Sequence, residues 1–454
     1  MTTSESSGIT FQAWLPSEWN GRFLLVGNGG LNGCIYYEDL AYGSSFGFAV
    51  AATNNGHNGS SAKDFFHAPE VYRDFVWRAT VTGAAIGKEL TRSYYDRDPS
   101  YSYWLGCSTG GRQGLQYAQR FPDVFDGILA GAPAASGGLG VWNGWQGLLA
   151  GLNSSASFVT PLQWRSIQEE FVRQCDGLDG ALDGILEDPA MCSPKITPLI
   201  CNSSSTSDDR KRCLTGEQAA RVQTMISDLW LENGTFIHPR MQPGTEFATA
   251  AIFRSGQTFG YSTDTIRYVY LGDPDWDASN LTLDLLMKIR ANDTERYSTY
   301  NPDLSAFRDA GGKLLLYHGQ ADPLISSFNS AHYYDRVAAN MSLSPSDLDE
   351  FFRFFRISGL GHCTRGENPG AWDIGNAYTG RPLQLNNAEN NVLLALVKWV
   401  EEGHAPESIT GLGYGPNATT AEEIVVSRKH CKYPARNVYV GPGSHTEESA
   451  WKCL

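Results

Sequence analysis

The chain has 454 residues, with 35 basic and 49 acidic side chains and a formal net charge of −14 at pH 7. Neither charge sign forms a long run, which argues against nucleic acid or an anionic membrane surface as a partner. No stretch approaches the roughly 20 apolar residues of a membrane-spanning helix, and the polar residues 1–7 lack the apolar core of a signal peptide.

The first predicted element with chemical interest is an apolar strand that ends in a glycine cluster. Residues 19–26 lead directly into Gly27-Asn28-Gly29-Gly30. Backbone amides in such a loop can donate to an anion, because glycine allows the chain to approach it closely. A plain glycine loop is the alternative. If the loop is catalytic, Gly29 and Gly30 are the candidate donors.

A second short strand, Tyr101–Leu105, precedes Gly106-Cys107-Ser108-Thr109-Gly110, and a predicted helix follows at 112–120. The five residues fit G-x-S-x-G, the nucleophile elbow, in which glycines leave room for a strained strand-to-helix turn. An ordinary glycine turn is the alternative, which the flanking strand and helix disfavour. Ser108 is then the nucleophile. The Thr109 amide would be one oxyanion donor, and Gly29 or Gly30 would supply the other.

A large insertion is predicted after the next core strand, Gly127–Pro133. We expect residues 1–134 and 303–454 to form the core and residues 135–302 to form a lid. Within the lid, residues 214–230 are predicted to form an amphipathic helix that begins after Thr215.

The lid contains an acidic segment between Cys175 and Cys192. Carboxylates recur there every three to four residues with glycines between them. Such a loop can turn several oxygens toward one hard cation, as calcium requires, although the spacing is not that of an EF-hand. A turn of solvated aspartates is the alternative.

Two further buried strands carry the other candidate catalytic side chains. Gly312–Gly319 is followed by Asp322, and residues 351–357 lead into a loop that ends at His362. The chain order of serine, acid and histidine, each after a parallel strand, is typical of the α/β-hydrolase fold. Asp322 alone would be read as a turn residue before proline, and His362 alone as a surface histidine. His318 is a competing histidine, which we interpret as structural or supporting.

Cysteines next to Ser108 and His362 give a further constraint. If Cys107 and Cys363 are bonded, their Cα atoms lie within roughly 7 Å, and the serine and histidine are brought together. Three other pairs are neighbours in sequence, namely Cys175 with Cys192, Cys201 with Cys213, and Cys431 with Cys453. Cys34 is left over.

On these motifs the chain resembles the tannase and feruloyl esterase family, and most closely its fungal feruloyl esterases of the B type. The resemblance rests on the Cys-Ser and His-Cys pairs, the run 106–114, the Gly27–Gly30 loop and the acidic segment. It implies an α/β-hydrolase core with a large inserted lid domain. It also implies a Ser108–Asp322–His362 triad and a disulfide between Cys107 and Cys363 that tethers the serine to the histidine.

The same resemblance implies a structural calcium ion in the lid. Its ligands would be the side chains of three aspartates and two backbone carbonyls: Asp176, Asp179, Asp183, Ala181 and Ile185. The implied substrate is a small aromatic ester or a feruloylated polysaccharide. Tannases and an esterase of a terephthalate ester share the framework and remain alternatives, as do a serine peptidase and a catalytically inactive binding protein.

Asn-x-Ser/Thr glycosylation sequons and paired cysteines indicate that the chain passes through an oxidising, secretory compartment. Relatives carry a further N-terminal segment with its own cysteines, so we expect a secreted glycoprotein whose signal and first residues are missing here and whose Cys34 has lost its partner. An intracellular protein with reduced thiols is the alternative. The eight sequons are at Asn58, Asn153, Asn202, Asn233, Asn280, Asn292, Asn340 and Asn417.

Overall fold

The computed structural model describes residues 1–135, 156–256, 259–366, 370–377, 385–415 and 423–454. Its strands are β1 Phe11–Trp14, β2 Arg22–Val26, β3 Ala49–Thr53, β4 Tyr101–Cys107, β5 Gly127–Gly131, β6 Leu229–Trp230, β7 Phe236–His238, β8 Lys313–Gly319, β9 Phe352–Ile357, β10 Ser408–Tyr414, β11 Ile424–Cys431, β12 Asn437–Tyr439 and β13 Trp451–Cys453. The α-helices are α1 Tyr37–Ser45, α2 Pro69–Arg73, α3 Ala79–Tyr95, α4 Thr109–Arg120, α5 Pro161–Cys175, α6 Gly216–Met225, α7 Glu246–Phe253, α8 Gly260–Asp264, α9 Leu283–Ala291, α10 Ser305–Asp309, α11 Ser327–Met341, α12 Pro345–Leu348 and α13 Val392–Glu402.

A seven-stranded sheet forms the centre of the molecule. Its strands lie in the order β1-β3-β2-β4-β5-β8-β9, with β1 antiparallel to β3 and the remaining pairs parallel. From β2 to β9 the strands are almost continuously buried, as expected for parallel strands covered by helices on both faces. The predicted core strands are confirmed.

Helices cover the two faces of the sheet with separate apolar clusters. On one face α1 and α13 pack against Leu24, Leu105 and Leu315. On the other face α3, α4 and α11 pack against alternate residues of the same strands, including Trp104 and Leu316. This three-layer arrangement confirms the predicted α/β fold with an α/β-hydrolase-like core.

The segment predicted as a lid has apolar clusters of its own. One joins α5, α6 and α7 around residues such as Trp164 and Phe171, and another surrounds α9. The predicted domain boundaries remain predictions. Trp164 is only 1 % exposed, so it packs in this cluster.

The predicted helix over 214–230 is too long. Thr215 caps α6 as expected, by accepting a hydrogen bond from Gln218 N–H. The helix ends at Met225, however, because Leu229 and Trp230 form β6 and pair with β7. Tertiary pairing overrides the helical pattern of the last residues.

Candidate active site

Ser108 lies on the sharp turn between β4 and α4. Its backbone has φ 64° and ψ −120°, and a positive φ costs a non-glycine residue about 1–3 kcal/mol. Neighbouring backbone groups hold the turn, because Ser108 N–H donates to the Gly131 carbonyl at 2.9 Å and Ala134 N–H donates to the Ser108 carbonyl at 3.1 Å. The local geometry is that of the predicted nucleophile elbow.

Glycines are required around this turn because backbones cross there. A Cβ atom on Gly106 would lie 2.6 Å from the Gly110 carbonyl, and one on Gly111 would lie 2.2 Å from the Gly131 oxygen. Both distances are shorter than any ordinary van der Waals contact. The strained serine is therefore set by tight packing between β4, α4 and β5.

Asp322 and His362 form a hydrogen-bonded pair at the carboxyl ends of the parallel strands. The His362 Nδ1 atom lies 2.8 Å from Asp322 Oδ2, and the Asp322 side chain is fully buried. Burial alone would raise the pKa of the Asp322 carboxyl, but His362 and then His318 more than offset it and hold that pKa well below its usual range. The carboxylate is thus ionised, and a proton on Nδ1 would leave His362 Nε2 as the basic atom.

His318 contacts the same carboxylate oxygen. Its Nε2 atom lies 3.1 Å from Asp322 Oδ2 and 3.2 Å from the Ile325 carbonyl. Its Nδ1 atom lies 2.7 Å from Ser330 Oγ. The imidazole is completely buried, so it is placed to orient Asp322 and not to reach a substrate.

The Cys107–Cys363 disulfide is present and joins the elbow to the histidine loop. The two Cα atoms are 6.2 Å apart across 256 residues of sequence. Ser108 and His362 each neighbour one of these cysteines, so the bond holds their backbones together. The Cys363 carbonyl also accepts a hydrogen bond from Asn376 Nδ2 at 2.9 Å.

The glycine loop after β2 packs directly on the start of α4. The Thr109 hydroxyl donates to the Gly30 carbonyl at 2.9 Å, which links the two predicted halves of the oxyanion hole. The Tyr36 hydroxyl accepts from Asn32 Nδ2 at 2.6 Å and lies close to Gly29, where an added Cβ would be 2.7 Å from it. Gly30 has a φ of 53°, and Gly29 and Gly30 both remain candidates for the second donor.

A cavity of about 180 Å³ opens beside His362. It lies between the loop that carries His362, the loop that carries Asp322 (the acid loop, residues 322–327) and the segment predicted as a lid. Its lining residues are Gly244, Thr245, Ala248, Ala321, Pro323, Gly361, His362, Thr364, Arg365 and Gly366.

The acidic segment of the lid is closed by the Cys175–Cys192 disulfide. Asp176 Oδ1 accepts from Gly184 N–H at 2.8 Å, and Asp179 Oδ1 accepts from Ala181 N–H at 3.0 Å. Burial raises the pKa of the Asp179 carboxyl to about 7. In the described ranges no three His, Cys, Asp or Glu side chains converge closely enough to hold a metal ion by themselves. Calcium binding here would therefore also require backbone carbonyls such as those of Ala181 and Ile185, a mixed oxygen set that calcium accepts.

Arg428 is a site residue that the sequence did not reveal. Its guanidinium lies 2.7 Å from Asp183 Oδ2 and 2.6 Å from Glu187 Oε1, and the Arg428 side chain is 1 % exposed. Burial lowers the pKa of Arg428, but Glu187 and Asp183 more than offset this effect and the pKa is raised. The β11 strand thus anchors the acidic loop.

The other predicted disulfides are also confirmed. Cys201 is bonded to Cys213 and Cys431 to Cys453, and Cys34 is an exposed free cysteine.

The sheet topology, the serine elbow and the buried Asp–His pair define a hydrolase of the α/β-hydrolase class. A family model described as "Tannase and feruloyl esterase" matches residues 1–454. The chain is also 48 % identical over 456 residues to a probable feruloyl esterase B from Aspergillus clavatus, covering 100 % of this chain and 85 % of that protein. The chain therefore belongs to the tannase and feruloyl esterase family and is a carboxylic ester hydrolase.

Solved structures agree with this assignment. The crystal structure of feruloyl esterase B from Aspergillus oryzae has a TM-score of 0.94 and 48 % identity, covering 100 % of this chain and 89 % of that one. Tannin acyl hydrolase from Aspergillus niger has a TM-score of 0.76 at 23 % identity, covering 100 % of this chain and 84 % of that one, which supports the fold alone.

Within the residues that the structure describes, no helix is both long and apolar enough to cross a membrane.

Proposed function

We propose that this chain hydrolyses esters of hydroxycinnamic acids, ferulate among them, through Ser108, His362 and Asp322. The observation that carries the proposal is the 2.8 Å contact between His362 and the buried Asp322. The Cys107–Cys363 disulfide attaches the loop that carries His362 to the serine elbow. This is the connectivity that a serine nucleophile and its base require.

In the proposed reaction His362 Nε2 takes the proton of the Ser108 hydroxyl as the oxygen attacks the ester carbonyl. The tetrahedral intermediate places its negative oxygen near the amide of Thr109 and that of Gly29 or Gly30, and each donor contributes about 10²- to 10³-fold in rate. His362 then protonates the departing alcohol. A water molecule activated by the same histidine releases the acid, while Asp322 keeps the imidazole in the required tautomer.

The proposed acyl group follows from the relatives. Two proteins at 47–48 % identity are named probable feruloyl esterase B and probable feruloyl esterase B-2, whereas tannin acyl hydrolase is only 23 % identical. An aromatic acyl group bound beside Ser108 requires an apolar pocket, and aromatic side chains can provide it. Trp142 and Trp145, early in the predicted lid, lie outside the described residues.

Steady-state hydrolysis of methyl ferulate and methyl gallate tests the proposal. We expect faster turnover of the ferulate ester and its loss in Ser108→Ala, while Ser346→Ala, an exposed serine on α12, behaves as wild type. Preference for gallate would make the chain a tannase. Full activity of Ser108→Ala would exclude Ser108 as the nucleophile. If the chain hydrolyses 4-nitrophenyl acetate but neither methyl ferulate nor methyl gallate, its substrate is an ester of another kind.

We also propose a structural calcium ion in the acidic segment, held by Asp176, Asp179 and Asp183 with the carbonyls of Ala181 and Ile185. When bound, the ion would neutralise closely spaced carboxylates and stabilise the loop. Free calcium at about 100 times the Kd would stabilise the fold by about 2.7 kcal/mol. We expect EDTA to lower the Tm and calcium to restore it. Asp179→Asn should lose this response, whereas the exposed Asp208→Asn should keep it; a Tm that EDTA leaves unchanged would exclude the site.

Secretion is the third proposal. Four disulfides and six described sequon asparagines that are all exposed support passage through an oxidising compartment. Asn153 and Asn417 lie outside the described residues. Expression in a secreting fungal host should give a glycoprotein whose mass falls on deglycosylation, and an unmodified product in the medium would exclude glycosylation.

A further inference from the structure

A segment of the lid is bonded to the loop that carries the catalytic acid. Residues 240–249 lie against residues 322–327, and four hydrogen bonds connect them. They run from Gln242 Nε2 to the Asp322 carbonyl, from Ser327 N–H to Gln242 Oε1, from Ser326 Oγ to the Arg240 carbonyl, and from Thr249 Oγ1 to the Pro323 carbonyl.

Gln242 makes two of these four bonds with a single side chain. Its amide nitrogen binds the first residue of the acid loop, and its amide oxygen accepts from Ser327 N–H at 3.1 Å. The residue is 1 % exposed. Its own carbonyl accepts from the Thr245 hydroxyl at 2.8 Å, so the backbone that presents the amide is held as well. Gln242 therefore closes the acid loop at both ends.

The shape of this loop determines where the Asp322 carboxylate points. Asp322 Oδ1 accepts from Leu324 N–H at 2.8 Å and from Ile325 N–H at 2.9 Å. These two bonds leave Oδ2 directed at His362 Nδ1. If the loop opened, the amides would move and the carboxylate would lose its direction toward the imidazole.

We infer that Gln242 is a positioning residue for catalysis and couples the lid to the triad through Asp322. This inference rests on the proposed role of Asp322 as the orienting acid. Gln242 touches neither Ser108 nor His362 among the bonds described, so its effect passes through the carboxylate. The lid then contributes to the rate constant of the reaction and not only to the substrate pocket.

Gln242→Met tests the inference, because methionine keeps the length of the side chain and removes both hydrogen-bonding groups. The matched control is Gln163→Met. Gln163 is a lid glutamine that is 4 % exposed. Its amide bonds Cys213, Gln218 and Thr160, all within the lid. Loss of aligned geometry costs about 10- to 100-fold in rate. We therefore expect Gln242→Met to lower kcat for methyl ferulate by about this factor with KM within about twofold, and Gln163→Met to leave kcat unchanged.

A double-mutant cycle with Asp322→Asn separates positioning from general destabilisation. If Gln242 acts through Asp322, Gln242→Met should have little further effect on kcat once the acid is neutralised. Equal fold losses in both backgrounds, or a wild-type kcat in Gln242→Met, would overturn the inference. Thr249→Val removes the hydrogen bond from Thr249 Oγ1 to the Pro323 carbonyl and should give a smaller loss in kcat. This variant provides a second test if Gln242→Met does not fold.

The cycle is also measured with 4-nitrophenyl acetate as substrate. Failure of the wild-type chain to turn over methyl ferulate would count against the proposed substrate class. The cycle on the acetyl ester would still decide whether Gln242 acts through Asp322.

Discussion

The buried carboxylate of Asp322 and the buried Asp183–Glu187 pair of the acidic segment are held by different means. In the core, Asp322 is fixed by amides two and three residues further along the chain, Leu324 and Ile325. In the acidic segment, Asp183 keeps a local amide partner in Ile185, but Asp183 and Glu187 both bind Arg428, which is 245 and 241 residues away from them. A local arrangement follows from a strand end and a turn, whereas a distant one depends on the completed fold. The two regions should therefore respond differently to substitution.

The largest effect is expected from the core acid. Asp322→Asn should lower kcat for methyl ferulate by about 10⁴-fold, because the imidazole loses the partner that fixes its tautomer. Stability should change far less. His318→Gln, at the other imidazole on the same oxygen, should give a smaller loss. Equal kcat values for Asp322→Asn and the wild-type chain would remove Asp322 from the triad.

The next effect comes from the long-range disulfide. Cys107→Ala with Cys363→Ala opens a connection across 256 residues and should cost about 5 kcal/mol in the free energy of unfolding, with loss of activity. Cys201→Ala with Cys213→Ala opens one across 12 residues and should cost about 3 kcal/mol with activity kept. Denaturant unfolding and ester hydrolysis measure both pairs. A fully active Cys107/Cys363 double variant would show that the tether is not needed for alignment.

Breaking the lid contact should change stability without changing chemistry. In calcium-free protein, Arg428→Met leaves Asp183 and Glu187 buried without a cation, which costs about 3–5 kcal/mol in comparable buried pairs. We expect a lower Tm and, at temperatures below it, a kcat close to wild type. Arg173→Met, which removes an exposed arginine of the same lid, is the control and should leave the Tm unchanged. A large drop in kcat for Arg428→Met would mean that the acidic loop takes part in catalysis.

The smallest effect is a pH dependence of stability. The pKa of Asp322 is lowered in the folded state, so its contribution is fully present above the unfolded value of about 3.9 and is lost as the pH falls through the folded value. The Tm difference between the wild-type chain and Asp322→Asn should be constant from pH 8 to about 4 and should shrink below that. A difference that already shrinks between pH 7 and pH 5 would contradict the lowered pKa.

The sequence predicts where the candidate side chains lie on the sheet because each of them follows a recognisable strand. Ser108, Asp322 and His362 all lie at the carboxyl ends of β4, β8 and β9 or in the loops just after them, where parallel strands bring separate loops to one edge of the sheet. The short-range disulfides were predictable because their cysteines are close in sequence.

Other features had no local signal. Arg428 lies in an ordinary strand and meets the acidic loop only after the chain has folded. Gln242 belongs to no motif, and its bonds to Asp322 and Ser327 arise from the docking of two distant segments. The predicted C-terminal end of α6 was wrong for the same reason, because the pairing of β6 with β7 depends on tertiary structure.

The spacing of the Cys107–Cys363 pair also has a consequence for biosynthesis. At translation rates of about 5 to 20 residues per second, Cys107 leaves the ribosome on the order of tens of seconds before Cys363. The pairs Cys175–Cys192 and Cys201–Cys213 span only 17 and 12 residues, so both can close during that interval. If His362 is the base of Ser108, as proposed, the nascent chain has no esterase activity until the loop that carries His362 has been made.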